Sequence, residues 1–337
     1  MSGARIGLDA RETRQLSAGM KAYVRELAAR LPRVAPEYEY VTFTRGSNFG
    51  WEEQIGLPLA MKRAHLNLAH FLALYVPVIV PVRFVVTIHD LIHLRFPHHF
   101  KAKVRPYYET VVRATCARAA RVVTDDERTV EDLVELLGVK RAKIRVVPLG
   151  VAEPFFEAQT PFAGPRPYVL YVGNHRKHKD LTTLFEAWSA LPRDLDVDLY
   201  VTGPDDFDGE LQRRSAPNRS VVALGDVAQE RLPAYYRGAR ALVSPSLREG
   251  FGLPVLEAMA AGCPVIACAD SVPRAVEAAA WTFPVRDSRR LAALLERMLV
   301  DQGERRRSVN VGLEAARRLT WDHCARATAD VYREVLE

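Results

Sequence analysis

Two carboxylates lie eight positions apart in a glycine-rich segment of the second half of the chain. The segment reads Glu249-Gly-Phe-Gly-Leu-Pro-Val-Leu-Glu257. Its glycines let the backbone turn tightly and approach a ligand, its proline suits the first turn of a helix, and amides at a helix start attract anions. The segment predicts a phosphate on the amides of Gly252 and Leu253, with Glu249 and Glu257 accepting bonds from sugar hydroxyls. Two solvated glutamates beside an ordinary loop are the alternative.

A basic loop provides the second set of candidate residues. It reads Gly173-Asn-His-Arg-Lys-His-Lys-Asp180 and directly follows a predicted strand. Ligands bind at strand ends in doubly wound sheets, and cations held in a dry site stabilise the charge that builds up on a departing phosphate. Arg176 and Lys179 are therefore candidates for a diphosphate, with Lys177 as a competitor of Lys179. A solvated basic loop is the alternative interpretation.

A histidine ends a predicted strand in the first half of the chain. His89 follows an apolar run; its neutral imidazole could accept a bond from a sugar hydroxyl, and the ring would titrate at about pH 6.5. Asp90 could orient the ring, and a purely structural histidine is the alternative. His93, His98 and His99 follow, but no cysteine or acidic residue accompanies them at metal-ligand spacing, so we expect no metal.

These candidates need strands and loops to position them. Short apolar segments alternate with helical patterns along the chain, which indicates parallel sheets covered on both faces. Helices are predicted over 20–31 and about 321–336, and the proline- and glycine-rich segment 148–154 predicts a domain boundary. The predicted strands are 5–8, 40–44, 65–70, 84–89, 121–124, 144–147, 168–172, 198–202, 221–224, 241–244 and 264–267.

The composition is that of a globular protein with sizeable cores. The chain has 337 residues, of which 48% are hydrophobic and 26% charged, and this length suits two domains. Its four cysteines form no Cys-x-x-Cys pair, which favours a reducing compartment over a disulfide framework. The net charge of +6 favours anionic partners. We do not expect nucleic acid among them, because no nucleic-acid-binding motif accompanies the charge.

Two segments bear on membranes. The apolar run 66–82 is interrupted by Pro77 and Pro81, so it predicts two short buried strands and not a membrane span. The first residues lead straight into a strand, without a cleavable-signal pattern.

Residues 101–121 carry six basic side chains and one acidic side chain, Glu109. A solvated face is one interpretation of this segment, and a docking surface for a lipid phosphate or an anionic bilayer is the other.

The residues on either side of the glutamate pair resemble a known family. Residues 232–246 read LPAYYRGARALVSPS and residues 261–267 read AGCPVIA. Together with the Glu-x7-Glu core they resemble the nucleotide-sugar site of retaining glycosyltransferases of the GT-B type, specifically family 4, and the resemblance spans nearly the whole chain. It implies an α/β fold of two Rossmann-like, doubly wound lobes facing a cleft. Residues 1–152 would form the acceptor lobe and 153–320 the nucleotide-sugar lobe, with a last helix, 321–337, packed back on the first lobe.

The resemblance implies catalytic roles for four residues. Glu249 would contact the sugar hydroxyls, Arg176 and Lys179 would hold the diphosphate, and His89 would lie near the donor sugar. The family works without a bound metal, and the nucleotide sugar is a substrate, so neither a metal nor a cofactor is expected.

The resemblance also implies a donor-binding set. Glu257 would bind the ribose, the base would lie beside the backbone of residues 224–227, and Gly19 would stand where the family has a glycine-rich loop between its first strand and first helix. The complete set is Gly19, Gly173, Leu224, Val227, Gly250, Phe251, Gly252, Leu253 and Glu257. One departure is Arg274 after Pro273, where the family usually has a Pro-Glu pair.

The donor, acceptor and location follow from the resemblance only as expectations. GDP-mannose is favoured as donor, because residues 87–93 look like bacterial mannosyltransferases of surface polysaccharide synthesis, and a UDP-sugar is the next alternative. The acceptor would be a glycan or lipid-linked, and the protein cytoplasmic, with peripheral contact to anionic lipid on the inner face of the plasma membrane. A GT-B sugar-nucleotide epimerase and a non-catalytic two-lobed sugar-binding protein are the alternative functions.

Overall fold

The chain folds into two compact units. A computed structural model describes residues 3–204, 207, 215 and 217–337. The first unit comprises Met1–Gly150 with Thr320–Glu337, and the second comprises Val151–Leu319. Each unit has one parallel sheet and its own hydrophobic core.

The first unit is built on six parallel strands. They are β1 Arg5–Asp9, β2 Glu39–Phe43, β3 Leu68–Phe71, β4 Phe84–Thr87, β5 Arg121–Thr124 and β6 Ile144–Val146. Side by side they run β2-β1-β3-β4-β5-β6. The order therefore reverses between β1 and β3. Strands β3 and β4 are buried along their whole length, as expected for a parallel sheet with helices on both faces.

The second unit has the strand order of a dinucleotide-binding Rossmann sheet. Its strands are β7 Tyr168–Tyr171, β8 Asp198–Thr202, β9 Val221–Gly225, β10 Ala241–Ser244, β11 Val265–Cys268 and β12 Trp281–Phe283. They are parallel and run β9-β8-β7-β10-β11-β12, so the order reverses between β7 and β10. The prediction of Rossmann-like sheets is confirmed. The edge strand β12 was missed, because three residues are too few for a periodic pattern to show.

Helices connect the strands in both units. In the first unit they include Ala18–Val34, Leu57–Arg63, Ile92–Arg95, Val104–Tyr107, Arg113–Arg118, Glu127–Leu137 and Trp321–Leu336. In the second unit they include Leu181–Ala190, Leu232–Gly238, Leu253–Ala260, Ser288–Val300 and Gln302–Arg317. Within the described part of the chain, no helix combines the length and apolar character needed to cross a membrane.

The first helix begins earlier than the sequence predicts, and this changes the interpretation of Gly19. Ser17 caps the helix, and its hydroxyl accepts a bond from the Met20 amide at 3.3 Å. The helix therefore runs Ala18–Val34, and Gly19 lies inside its first turn. The prediction of a glycine loop between strand and helix is wrong, because the serine cap satisfies an early amide and starts the helix there.

The prediction of two strands within residues 66–82 is also wrong. Residues 66–82 contain one strand, β3, and not two, because Pro77 and Pro81 lie in the stretch after it and lack the amide that a strand ladder needs. Residues 104–118 form one continuous helical stretch, in which the π-helical section Tyr108–Val112 joins two α-helical sections, and Arg121 is already the first residue of β5.

The last helix, Trp321–Leu336, packs within the first unit through buried polar contacts. The Tyr332 hydroxyl lies 2.7 Å from Nδ1 of His70, whose Nε2 lies 2.8 Å from Oγ1 of Thr87. The largely buried Arg30 donates to Oδ1 of Asp322 at 2.5 Å. These contacts join the carboxyl end of the chain to β3, β4 and the first helix.

Candidate functional site

The two motifs of the second unit meet where its strand order reverses. The basic loop follows β7, and the glycine-rich loop follows β10, the neighbouring strand. The Leu247 amide donates to the His178 carbonyl at 2.8 Å, which joins the two loops through their backbones. The Lys179 ammonium lies 2.5 Å from Oε1 of Glu249. Ligands of doubly wound sheets bind at this kind of reversal, outside the carboxyl ends of the strands.

The Lys179–Glu249 ion pair is shielded from solvent. The side chains are 14% and 15% exposed, respectively. Burial tends to raise the pKa of Glu249, but the charge and hydrogen bond of Lys179, with a further bond from Ser246, hold that pKa below its ordinary value. Glu249 is therefore a fixed carboxylate. A lysine ammonium has three donors, so one bond to Glu249 leaves two for a ligand.

The helix Leu253–Ala260 begins at Gly252, as the glycine and proline pattern predicts. Gly252 is its cap and has a φ of +82°, in the left-handed region that favours glycine. A Cβ at this position would also lie 3.2 Å from the Ser271 carbonyl oxygen. The ring of Phe251 is buried beside it. The first amides of the helix lack partners within the helix, which suits them to an anion.

Glu257 lies in this helix and is held by two side chains from outside it. The Tyr236 hydroxyl donates to Oε2 at 3.1 Å, and the Gln229 amide donates to Oε1 at 3.1 Å. Burial raises the pKa of Glu257 to about 7, although both hydrogen bonds act to lower it. Glu257 thus differs from Glu249, which has a cation beside it.

The other residues of the basic loop are more exposed than Lys179. Arg176 and Lys177 both lie on the surface, and the Arg176 amide donates to the side chain of Asn174 at 3.2 Å. The Gly173 amide lies 3.1 Å from Oγ1 of Thr202, at the end of β8. Of the two lysines that competed for the diphosphate, the structure brings Lys179 to the glutamate motif.

The predicted base-binding segment lies at the edge of the second sheet. Leu224 is in β9, which is the edge strand, and Val227 follows it. The Gly203 amide donates to the Gly225 carbonyl at 3.0 Å, so the ends of β8 and β9 stay together. The chain then leads directly to Gln229, which contacts Glu257.

His89 lies in the first unit and is buried in a polar network. Its Nδ1 lies 2.6 Å from Oδ2 of Asp125, and its Nε2 lies 3.2 Å from the Leu72 carbonyl oxygen. Burial tends to lower the pKa of His89, but the charge and hydrogen bond of Asp125, together with the Leu72 carbonyl and Asp90, raise it. Both ring nitrogens face oxygen atoms of neighbouring groups. The expectation that a neutral His89 accepts from a sugar hydroxyl does not fit this arrangement.

The orienting residue of His89 is Asp125, and the prediction of Asp90 is wrong. The Asp90 carboxylate instead accepts a bond from the Ile92 amide at 3.0 Å. Asp125 directly follows β5, at the same sheet edge as His89, so its place after a strand could have revealed it. The nearby His93 packs against aromatic rings, at 4.1 Å from the centre of Phe100.

Three residues around the two glutamates were not predicted. Ser246 follows β10, and its position at a strand end is a signal that sequence reasoning could have used. Gln229 and Tyr236 lie in a turn and a helix that precede β10, and no spacing in the sequence connects them to Glu257. Only the packing of these elements brings them to its carboxylate.

Two family models match the chain. The model described as "Glycosyl transferases group 1" matches residues 166–301, and the model described as "Glycosyltransferase Family 4" matches residues 63–153. This chain belongs to the glycosyltransferases of group 1 and family 4. It is an enzyme, and the resemblance noted from the residues around the glutamate pair is confirmed.

Similar proteins support the family and the fold. O-antigen chain mannosyltransferase B from Escherichia coli is 28% identical over 269 residues, which cover 74% of this chain and 70% of that protein. Sucrose-phosphate synthase from Thermosynechococcus elongatus has a TM-score of 0.77 at 22% identity, over 98% of this chain and 99% of that one. An Anabaena protein crystallised with UDP and glucose has a TM-score of 0.73 at 16% identity, over 98% and 100% of the two chains. The fold is therefore GT-B.

Proposed function

We propose that this glycosyltransferase moves a hexose from a nucleoside-diphosphate sugar to a glycan or a lipid-linked acceptor, with retention of configuration. The observation that carries the proposal is the shielded Lys179–Glu249 ion pair at the strand-order reversal of the second unit. It places a fixed carboxylate and a cation beside the helix start at Gly252. Such a set suits a ligand that combines hydroxyl groups with phosphates.

In this proposal, each residue of the site binds a different part of the donor. Glu249 accepts bonds from the hydroxyls of the transferred sugar, and Glu257 accepts bonds from the ribose. Lys179 and Arg176 bind the diphosphate together with the amides at Gly252. Bond cleavage leaves negative charge on the diphosphate, and cations already in place stabilise that charge more in the transition state than in the ground state.

The proposed chemistry is a front-face substitution at the anomeric carbon. The acceptor oxygen forms its bond to that carbon on the face from which the phosphate oxygen departs. The acceptor's proton passes to the departing phosphate, and the nucleoside diphosphate is released. No side chain acts as a nucleophile in this scheme. NMR of the product tests it, because an inverted linkage would contradict retention.

We propose GDP-mannose as the donor, with a UDP-sugar as the alternative. The E. coli relative is an O-antigen chain mannosyltransferase, which favours mannose, whereas the Anabaena structure contains UDP and glucose. A thermal-shift panel of GDP- and UDP-sugars tests the choice directly. The donor is expected to raise Tm more than the other members of the panel.

Release of the nucleoside diphosphate with acceptor present, together with a new glycosidic linkage, separates transfer from epimerisation and from sugar binding alone.

Turnover is expected to survive complete chelation of divalent ions. In the proposed site, Lys179, Arg176 and the helix start at Gly252 neutralise the departing diphosphate, which is the role that a metal ion takes in other transferases. The measurement is the initial rate before and after dialysis against EDTA. Loss of turnover that a divalent ion restores would reject metal-independent transfer.

The affinity for the donor is expected to increase as the pH rises through about 7, because the pKa of Glu257 is raised to about 7. Below this pH the carboxyl is protonated and is a weaker acceptor for ribose hydroxyls, and above it the carboxylate accepts fully. The measurement is the donor KM across this range. Glu257→Gln, which cannot ionise, should remove the pH dependence. The same pH dependence in that variant would assign the titration to another group.

We propose that the enzyme works in the cytoplasm, in peripheral contact with the inner face of the plasma membrane. All four cysteines are free and buried, which is compatible with a reducing compartment. A lipid-linked acceptor would be presented at that membrane face. The contact is proposed to be reversible and sensitive to salt, as expected for basic residues near anionic lipid.

A further inference from the structure

Large apolar side chains are exposed together on the first unit. Two of them, Trp51 and Ile79, are each 72% exposed. The set, which we call the apolar patch, comprises Phe49, Trp51, Ile55, Leu59, Val78 and Ile79. Contiguous exposed apolar surface on a water-soluble unit marks a site of interaction.

The two segments that carry the apolar patch are in direct contact. The Val78 amide donates to Oε1 of Gln54 at 2.9 Å, which joins the loop after β3 to the turn that bears Trp51 and Ile55. The rings of Phe49 and Tyr75 pack edge to face, with their centres 5.3 Å apart. The patch is therefore one surface, although its residues come from separate stretches of the chain.

The basic segment 101–121 borders this surface but contributes fewer free charges than its sequence suggests. Arg113 donates to the Leu136 carbonyl at 3.2 Å, and Arg121 donates to Oε1 of Glu334 at 2.7 Å. Arg118 donates to the Val78 carbonyl, inside the patch itself. These arginines are used to hold the first unit together.

Exposed lysines and arginines remain in two of the segments that adjoin the apolar patch. Lys62 and Arg63 end the helix Leu57–Arg63, which carries Leu59 of the patch. Lys101 and Lys103 are exposed in the chain that leads to Tyr107, and the Tyr107 ring lies 5.5 Å from that of Phe49. Exposed apolar side chains with basic residues in the adjoining segments are complementary to an anionic bilayer, in which acyl chains lie beneath negative headgroups.

We infer that the apolar patch docks the enzyme on an anionic lipid bilayer, with Trp51 and Ile79 inserted at the level of the headgroups. Tryptophan favours this depth, because its ring is apolar and its N–H remains near water. The inference names the surface for the membrane contact proposed above. It rests on the proposed function only for the choice of a bilayer as partner, and its test uses neither donor nor acceptor.

The tryptophans of the chain allow a direct test. Of the four, Trp188 and Trp321 are buried and Trp281 is partly buried, so Trp51 is the strongly exposed one. Vesicles of phosphatidylcholine with phosphatidylglycerol should shift the emission to the blue, and brominated lipids should quench it. The Trp51→Phe variant should lose both responses. Binding without a change in Trp51 emission would overturn the inference.

Flotation with the same vesicles measures the binding. The double variant Trp51→Ser with Ile79→Ser should lower the partition coefficient about tenfold or more, because each side chain loses its apolar burial. Val300→Ser is the matched control, since Val300 is 66% exposed on the second unit, and it should bind like the wild type. Lys101→Glu with Lys103→Glu should remove most of the salt sensitivity.

Two other results would overturn the inference. One is unchanged vesicle binding by the Trp51→Ser with Ile79→Ser variant. The other is a wild-type dimer in sedimentation that this variant dissolves, with no vesicle binding, because the patch would then bind a second copy of the chain. A donor-induced rise in Tm, measured on the same variants, reports the proposed transferase site separately.

Discussion

Replacing Glu249 with glutamine is expected to lower turnover by about a hundredfold or more and to leave the protein folded. Glutamine keeps the shape of the side chain but removes the charge that accepts bonds from the sugar hydroxyls. Lys179, 2.5 Å away, would lose its carboxylate partner and would no longer be held at the strand-order reversal. The effect should fall mainly on kcat if the contacts strengthen in the transition state.

The alanine variant of Glu249 should also be inactive, but glutamine is the cleaner test. Either substitution leaves the Lys179 charge without its partner, which costs about 3–5 kcal/mol of stability for a buried pair, but alanine also removes the side-chain volume and the oxygen acceptor that glutamine keeps. Circular dichroism and Tm establish that each variant is folded. Glu296→Gln, at an exposed position in the helix Ser288–Val300, is the matched control and should be fully active. A folded Glu249→Gln enzyme with wild-type turnover would exclude a catalytic role.

The Lys179→Ala variant is expected to raise the activation free energy by about 2–4 kcal/mol, as the loss of a charge-stabilising donor does in other enzymes. The ammonium is proposed to bind the diphosphate as charge builds up on it. Lys177→Ala is the matched control, because Lys177 lies two residues away and is exposed. It should change kcat/KM little.

Two further variants refine the assignment within the basic loop. Arg176→Ala should also reduce turnover by about 2–4 kcal/mol, through loss of a second cation on the diphosphate. Lys179→Arg should have higher turnover than Lys179→Ala but lower turnover than the wild type. A planar guanidinium does not replace a compact ammonium held against Glu249. The opposite pattern, with a damaging Lys177→Ala and a silent Lys179→Ala, would show that the other lysine binds the diphosphate.

Secondary structure was predictable where local chemistry decides it. The strands 121–124, 198–202 and 241–244 were predicted with the ends that the structure gives them, because buried parallel strands are nearly continuous apolar runs. The start of the helix Leu253–Ala260 was also predictable, since Gly252 needs its left-handed backbone and proline fits the first turn. In the first helix, the pattern of apolar residues placed the start too late, because the Ser17 cap lies outside that pattern.

The two motifs of the candidate site were recognisable in the sequence, but their contact was not. Glu249 and Lys179 are 70 positions apart in the sequence. From the sequence alone, each of the two loops could also be interpreted as an ordinary solvated loop. The order β7-β10 in the sheet makes the loops neighbours. The same holds for His89, whose partner is Asp125 and not the adjacent Asp90.

The sequence by itself determined the family and the two Rossmann-like sheets, and it predicted the residue types of the candidate site. It could do so because periodicity, turn residues and the glutamate motif act over short stretches of chain. The tertiary structure alone decided which charges pair, which are shielded and which remain exposed. Most of the arginines of the segment 101–121 donate hydrogen bonds within the first unit, whereas Trp51 and Ile79 are exposed to solvent. Burial and pairing are properties of side chains from distant positions, and packing sets both.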